Sequence, residues 1–327
     1  MRTPSEVISL HDLGLVRARG SDAARFLQGQ LSNDVTRLGA GTSLLAGYHN
    51  PQGRAIALLR LVYWDADDIL AVVPRELAGG VVSRLSKFVL RAKVKIADES
   101  AAWQISGLVG TTKVAVQADA APELPTIVNA QTRGDGAVFV CVADSPPRWL
   151  MISPATAAEA PAQRPDTAPA PRPDNVVIGD PEDWRRLDIA AGLPQVYAAT
   201  SEEFVAQMLN LDVLNAIAFD KGCYTGQEVI ARAHYRGRVK RRMQRFVSRE
   251  ACRLAPGDSG QLADGRTFKV VLATQLADGR CDFLAVAPPA GAERDGAPRD
   301  EAPAPTTAGH AAPLAADQIP LPYALPD

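Results

Sequence analysis

The pattern of apolar and polar positions in the first third of the chain predicts strands interrupted by two helices. Apolar runs typical of strands occupy residues 7–10, 13–18, 55–64 and 69–73. Cap residues at 20–22 predict a short helix over 23–28. A longer helix is predicted over 75–90 by apolar residues at helical spacing, namely Leu77, Val81, Leu85 and Phe88.

The middle of the chain continues this pattern and the last third changes it. Alternation and apolar runs predict further strands near 92–96, 103–109, 138–142 and 149–152. With the helices, these strands indicate an α+β sandwich. Short candidate strands separated by Gly-containing turns then indicate a small C-terminal β-barrel, at 245–249, 267–274 and 281–287.

Two stretches rich in Ala and Pro interrupt this order. Residues 154–175 and 288–315 show no periodicity, and such compositions cannot bury enough apolar surface to offset the cost of ordering. We predict that both are disordered. The closing sequence IPLPYALPD is predicted to return to the barrel as a last strand.

Charge, length and cysteine content narrow the class of protein. The 35 Lys and Arg nearly balance the 37 Asp and Glu, so no overall field steers the chain to nucleic acid or membrane. The start of the chain lacks an apolar export segment, and no run approaches the roughly 18 apolar residues of a membrane span. Four dispersed cysteines without a CxxC pair argue against a disulfide framework, a structural zinc site or a permanent cluster. We expect a cytoplasmic protein without a permanently bound metal.

The stretch KGCYTGQEVIARAHYRG, residues 221–237, is the most informative. Thr225 and Glu228 are spaced as a capping box, and Gly237 lies where a glycine commonly ends a helix. Cys223 would then precede a helix, where the helix dipole and a neighbouring Lys221 lower a thiol pKa and raise its reactivity. The alternative is that Cys223 is a small buried apolar residue in an ordinary turn.

The run FDKGCYTGQEVIAR closely resembles the motif of the YgfZ family. Similar stretches occur elsewhere, in GSDAARFLQGQLSNDV, KFVLRAKVKI, WRRLDIAAGLPQVYAAT, EEFVAQMLNLD and PLPY. The resemblance implies a fold like that of the glycine-cleavage T-protein, with intertwined ferredoxin-like α+β domains, a C-terminal barrel and a tetrahydrofolate site. It also implies support of iron–sulfur enzymes, including a tRNA-modifying one.

The resemblance divides the chain into domains and assigns its site residues. The first α+β domain would comprise 1–50 plus 176–240, the second 51–153, and the barrel 241–287 plus 316–327. Cys223 and Lys221 would carry the chemistry, and Trp184, opposite Leu13, would contact folate. The remaining motif residues are Gly222, Tyr224, Gly226, Gln227, Glu228 and Arg232.

One departure bears on activity. The T-protein carries paired aspartates after its N-x-x-G-G turn, whereas here the turn Asn50 to Gly53 leads to Ala57 and Leu58. Neither residue can supply general acid or base help. We therefore expect a folate-binding accessory protein for assembly, repair or maturation of 4Fe–4S enzymes, whose partners are such clients or cluster-assembly proteins. The alternative is a tetrahydrofolate-dependent aminomethyltransferase or demethylase.

A basic run over 232–245 is the one local concentration of positive charge. It would suit the glutamate tail of folate or a weak RNA contact, although a solvated basic face explains it equally well. Only Tyr235 lies within it as an aromatic residue, which weakens a dedicated RNA-binding interpretation. Asn33 and Asp34 would line a channel or simply form a turn.

Overall fold

The computed structural model describes residues 5–110, 123–134, 136–155, 176–237, 239–291 and 312–326. The chain forms two compact units. The first comprises Met1–Tyr48, Ile56–Trp184 and Ala216–Thr225. The second comprises His49–Ala55, Arg185–Asn215 and Gly226–Asp327. Of the predicted Ala/Pro-rich segments, the first lies outside the described residues except at 154–155, and the second except at 288–291 and 312–315. The predicted three-domain boundaries stay a prediction.

The elements of the first half are β1 (Ser5–Ser9), β2 (Leu13–Arg19), α1 (Ala23–Gln28), β3 (Leu44–His49), β4 (Ala55–Asp65), β5 (Asp68–Pro74), α2 (Arg75–Ser86), β6 (Lys95–Asp98), β7 (Trp103–Val109), β8 (Gln131–Gly134), β9 (Ala137–Asp144) and β10 (Pro147–Pro154). Those of the second half are β11 (Val176–Ile178), α3 (Pro181–Ala190), α4 (Gln227–Tyr235), β12 (Arg242–Ala251), β13 (Ser259–Gln261), β14 (Thr267–Gln275), β15 (Arg280–Ala287) and β16 (Ala316–Ile319). Short 3-10 turns occupy Val35–Arg37, Ala198–Thr200 and Ala206–Leu209.

A five-stranded sheet in the order β3-β4-β5-β2-β6 forms one layer of the first unit. On one face it carries α1 and α2, because each helix presents an apolar stripe. In α2 the stripe is Ala78, Val81 and Leu85, all buried against this sheet. The helix ends at Ser86 rather than at the predicted residue 90, since the next residue in the stripe, Phe88, is exposed.

A six-stranded sheet, β11-β1-β7-β10-β9-β8, forms the other layer. Its inner residues share one core with the opposite face of the first sheet, where Ile105 and Val140 meet Leu15 and Val72. Buried residues therefore alternate between two cores along β2 and β5, with Val16 and Ala71 facing the helices. This packing gives the α+β layers that the sequence predicts.

The second unit contains a five-stranded antiparallel sheet, β13-β14-β15-β12-β16, around a core that includes Phe246 and Phe283. Its strands lie where the sequence predicts a barrel. Within the described residues the sheet does not close as a continuous ladder. Its two edges meet at a parallel bridge between Leu262 and Leu314. The described part of the predicted barrel is therefore a five-stranded sheet whose edges are joined by this bridge, and its last strand, β16, pairs with β12.

Candidate functional site

Lys221 anchors the start of the motif to the end of α1 and the loop that follows it in the first unit. Its ammonium group donates hydrogen bonds to the backbone carbonyls of Gln28, Leu31 and Asn33, at 2.7, 2.7 and 2.8 Å. The Gln28 carbonyl belongs to the last turn of α1, where a cation is favourable. Burial lowers the pKa of Lys221 to about 8. The contacts of Lys221 are therefore those of a positioning residue, and its predicted chemical role stays a prediction.

Tyr224 anchors the motif on the other side of Cys223. The tyrosine is buried, the Lys221 ammonium lies 5.2 Å from the centre of its ring, and burial raises the pKa of its hydroxyl to about 12. Cys223, between these two fixed residues, is exposed. The interpretation of Cys223 as a small buried apolar residue is therefore wrong, and the loop presents its thiol to solvent.

The helix of the motif begins later than predicted. α4 starts at Gln227, its N-cap is Gly226 with φ +82°, and no side chain caps it. The predicted capping box of Thr225 and Glu228 does not form. A Cβ on Gly226 would lie 2.5 Å from the carbonyl oxygen of Asn50, so a close backbone approach that only glycine permits sets this start.

The outer face of α4 is solvated. The exposed side chains of Glu228 and Arg232 form an ion pair at 2.9 Å, one helical turn apart. Gly237 follows the C-cap residue, as predicted, but without the positive φ typical of a terminating glycine. A Cβ there would lie 3.0 Å from Cα of Ala233, so Gly237 serves close packing instead.

The turn from Asn50 to Gly53 is held by Asn50. Its Oδ1 accepts hydrogen bonds from the amides of Gln52 and Arg54, both at 3.0 Å, and its Nδ2 donates to Glu202 at 2.8 Å. Glu202 has φ +65°, a conformation uncommon for residues other than glycine. Sequence reasoning missed Glu202, although it lies at the start of the stretch EEFVAQMLNLD. Ala57 and Leu58, which the resemblance places near the positions of the T-protein aspartates, are buried in β4 of the first unit.

Trp184 lies in the inner core of the first unit, only 6% exposed, in the same cluster as the half-buried Leu13. The Arg148 guanidinium lies over its ring, 4.8 Å from the centre. A Cβ on Gly107 would come within 2.3 Å of the indole, so β7 approaches it closely. The two predicted folate contacts thus belong to one core, but protein atoms cover the indole. A pterin ring does not fit against Trp184 in this conformation, and folate contact there stays a prediction.

Asn33 and Asp34 have local partners. The Asn33 side chain donates to the Leu45 carbonyl at 2.7 Å. Asp34 caps the following 3-10 turn, and hydrogen bonds from Thr36 and Gln28, together with nearby Arg37, hold the pKa of its carboxyl below the usual value. These contacts are those of a turn.

Part of the basic run is neutralised within the second unit. Arg242 pairs with Asp212 at 2.8 Å and Arg245 with Asp282 at 2.7 Å. Arg236, Lys240 and Arg241 are exposed, and Arg238 lies outside the described residues. In the described ranges, no group of three or more His, Cys, Asp or Glu side chains is placed to hold a metal ion.

A scan against models of known protein families finds no match. The curated tRNA-modifying protein YgfZ of Yersinia pseudotuberculosis serotype O:1b (strain IP 31758) is 32% identical to this chain over 280 residues, which cover 84% of this chain and 82% of that protein. The chain belongs to the YgfZ family. Another YgfZ, from Pectobacterium carotovorum subsp. carotovorum (strain PC1), is 32% identical over 285 residues, covering 86% and 83% of the two chains. The resemblance drawn from the KGCYTGQE motif is thus confirmed.

A solved structure is similar to this chain in fold. The glycine cleavage system aminomethyltransferase T from Bartonella henselae superposes with a TM-score of 0.67 at 15% identity, covering 88% of this chain and 79% of that one. The predicted T-protein-like α+β fold is confirmed. None of the helices in the described parts of the chain combines the length and the apolar character needed to span a bilayer.

Proposed function

We propose that this chain is a tetrahydrofolate-binding accessory protein that supports assembly, repair or maturation of 4Fe–4S enzymes, among them tRNA-modifying ones, through Cys223. The observation that carries the proposal is the exposed thiol of Cys223 between the anchors Lys221 and Tyr224. Membership of a family of tRNA-modifying proteins supports the link to tRNA.

An exposed thiol on a fixed loop suits transient handling of iron or sulfur. A thiolate is the usual protein ligand of iron in clusters, and stable clusters are held by several cysteines. A lone exposed cysteine can hand a cluster or a sulfur adduct to a client but cannot enclose it. In this proposal the cluster is cargo, and Lys221 fixes the loop from which the thiol acts.

Tetrahydrofolate would serve as a ligand of the T-protein-like fold. The burial of Trp184 requires that the pterin either displaces apolar neighbours such as Leu13 or binds beside the indole rather than on it. No step of the proposed cluster handling passes through the folate.

The competing function is a tetrahydrofolate-dependent aminomethyltransferase or demethylase, which the likeness to the aminomethyltransferase fold permits. Burial of Ala57 and Leu58 at the positions of the aspartates argues against it, because neither side chain exchanges a proton. Folate-dependent formation of methylenetetrahydrofolate from a methylamine donor by the purified protein would establish this competitor.

The test measures rescue of a 4Fe–4S tRNA-modifying enzyme in cells that lack the chromosomal copy of this protein. We expect wild type to restore the tRNA modification, Cys223→Ser to lose it, and Cys252→Ser, a half-buried cysteine of the second unit, to retain it. Full rescue by Cys223→Ser would refute the proposed role of this thiol.

Folate binding is tested separately by calorimetric titration of the purified protein with tetrahydrofolate. We expect binding that Trp184→Ala weakens and Cys223→Ala leaves unchanged. Because Trp184→Ala opens a core, its fold is checked by circular dichroism and by the unfolding temperature. Absence of binding in wild type would remove folate from the proposal and leave the cysteine role to be judged by the rescue experiment.

A further inference from the structure

Two cysteines far apart in sequence come together in the C-terminal sheet. Cys252 directly follows β12, and Cys281 is the second residue of β15. Ala251 pairs with Arg280 across the antiparallel ladder, and the Cys252 amide donates to the Gly279 carbonyl at 3.1 Å. Cys252 is therefore opposite Gly279, which puts it on the same face as Cys281, as its diagonal neighbour.

A hydrogen bond confirms that the two residues are adjacent. The Cys281 thiol donates a hydrogen bond to the Cys252 carbonyl oxygen at 3.1 Å. Burial, together with the neighbouring Cys252 thiol, raises the pKa of Cys281 to about 12. Both cysteines are free, and both pack in the core of this sheet, Cys281 fully and Cys252 partly.

The surroundings allow a bond between them without a large rearrangement. The ladder between β12 and β15 is irregular between Val247 and Ala251, so the end of β12 is not held in strict register. Gly279, with φ +84°, precedes β15 in a tight turn. Diagonal neighbours on one face lie roughly 7–8 Å apart, which is just beyond the backbone separation that a disulfide spans, so the bond requires a small shift of the end of β12.

We propose that Cys252 and Cys281 form a peroxide-sensitive dithiol site that oxidises to a disulfide within the C-terminal sheet. Cys252, the more accessible sulfur, attacks one oxygen of hydrogen peroxide, and the O–O bond breaks to give a Cys252 sulfenic acid and water. The Cys281 sulfur then attacks the sulfenic sulfur, and its proton leaves with the hydroxyl as a second water. Two thiols and one peroxide thus yield one disulfide and two waters.

This site is separate from the proposed cluster chemistry. Cys223 belongs to the first unit, whereas both members of the pair belong to the second. Cys141, also in the first unit, is buried, and its thiol donates to the Ala143 carbonyl. The new bond would close a loop that contains β13 and β14, so oxidation would fasten these strands to the rest of the sheet.

The experiment uses the full-length Cys223→Ser protein, so that the motif cysteine cannot exchange. Reduced protein is treated with a molar excess of hydrogen peroxide, alkylated with iodoacetamide under denaturing conditions, digested and analysed by mass spectrometry. We expect a linked pair of peptides containing Cys252 and Cys281, two hydrogens lighter than their sum. The same protein with the additional change Cys281→Ser is treated with hydrogen peroxide in the presence of dimedone, which reacts with sulfenic acids. We expect a dimedone adduct at Cys252.

Three results would overturn the proposal. The first is alkylation of both cysteines after peroxide treatment. The second is conversion of Cys252 to sulfinic acid without a linked peptide, and the third is a link that appears only in dimers on a non-reducing gel.

An intact native sheet also predicts that the oxidised protein unfolds at a temperature higher by roughly 5 °C than the reduced one. A lower unfolding temperature would count against a native bridge.

Discussion

Two glycines of the motif, four positions apart, have opposite surroundings. A Cβ at Gly226 meets the Asn50 carbonyl oxygen at 2.5 Å and would have to adopt φ +82°, whereas a Cβ at Gly222 meets no atom within 4 Å. Substitution by alanine therefore tests the close backbone approach at Gly226. At Gly222 the same substitution changes only the conformational entropy of the chain.

We expect Gly226→Ala to lower the free energy of unfolding by roughly 1–3 kcal/mol, because alanine is strained at this φ and clashes with the turn. Gly222→Ala should stay within about 0.5 kcal/mol of wild type. Urea denaturation of the three proteins measures both values. Equal losses at the two positions would show that the α4 start does not depend on the Asn50 turn.

Lys221 links stability to pH. Burial lowers its pKa from 10.5 to about 8 in the folded protein. Between these values the unfolded chain binds more protons than the folded one, so the free energy of unfolding rises with pH there. The cost of burying the charged ammonium is present in full below pH 8 and fades as the pH approaches 10.5.

We therefore expect the free energy of unfolding of wild type to increase relative to that of Lys221→Met as the pH rises from about 8 to about 9.5. The comparison stops at this pH because Tyr224 also titrates above it. The pKa of Tyr224 is raised to about 12, so the folded protein becomes less stable once the pH passes the ordinary pKa of a tyrosine. Denaturant curves of both proteins at each pH measure the difference. A constant difference would mean that Lys221 keeps its ordinary pKa.

Residue-scale chemistry was partly accessible from sequence. The motif identified Cys223 and the family, because a run of specific side chains carries that information locally. The capping box at Thr225 was wrong because a non-local approach of Asn50 fixes Gly226. The pair Cys252 and Cys281 was missed because only the pairing of β12 with β15 brings these residues together.

At the scale of elements, the C-terminal PLPY segment of the second unit is fixed by Tyr323. Its hydroxyl donates to the Gly192 carbonyl at 2.7 Å and lies 3.4 Å from Nδ2 of the buried Asn210. Gly192 has φ +65°, and a Cβ there would meet the tyrosine ring at 2.8 Å. The last strand, β16, contains only Ile319 of the predicted strand IPLPYALPD, so the strand prediction is wrong for the PLPY segment, which a side-chain hydrogen bond holds instead.

We expect Tyr323→Phe to cost about 1 kcal/mol of unfolding free energy, because the Gly192 carbonyl loses its donor in a buried setting. Tyr235→Phe, at a side chain that is 68% exposed, is the matched control and should change stability by less than about 0.5 kcal/mol. Thermal and urea unfolding compare the two variants. A neutral Tyr323→Phe would show that ring packing alone fixes the segment.

Elements with strong periodicity were predictable, whereas their pairing was not. The α2 stripe and the apolar runs of β4 and β5 mark buried faces in the sequence itself. The sheet order is not marked, since β1 pairs with both β7 and β11, which lie far along the chain. The sequence also does not mark how the two edge strands of the C-terminal sheet meet, which decides whether its ladder closes.

For the whole molecule, the net charge of −2 leaves any nucleic-acid affinity to local cations. The basic run offers fewer of them than its sequence suggests. Asp212 and Asp282 neutralise Arg242 and Arg245, so the exposed cations within the described part of the run that lack such a pair are Arg236, Lys240 and Arg241. Among the described residues of the run, three cations are thus available to contact phosphates.

We expect RNA binding through this run to be weak and only moderately dependent on salt. Three contacts to a single strand predict a slope of about −2 for the logarithm of the binding constant against that of the salt concentration. Filter binding of a single-stranded RNA across a salt series measures the slope. Lys240→Ala with Arg241→Ala should reduce the slope to about −0.7, because one of these three contacts remains. A slope near −6 in wild type would place the RNA on another surface.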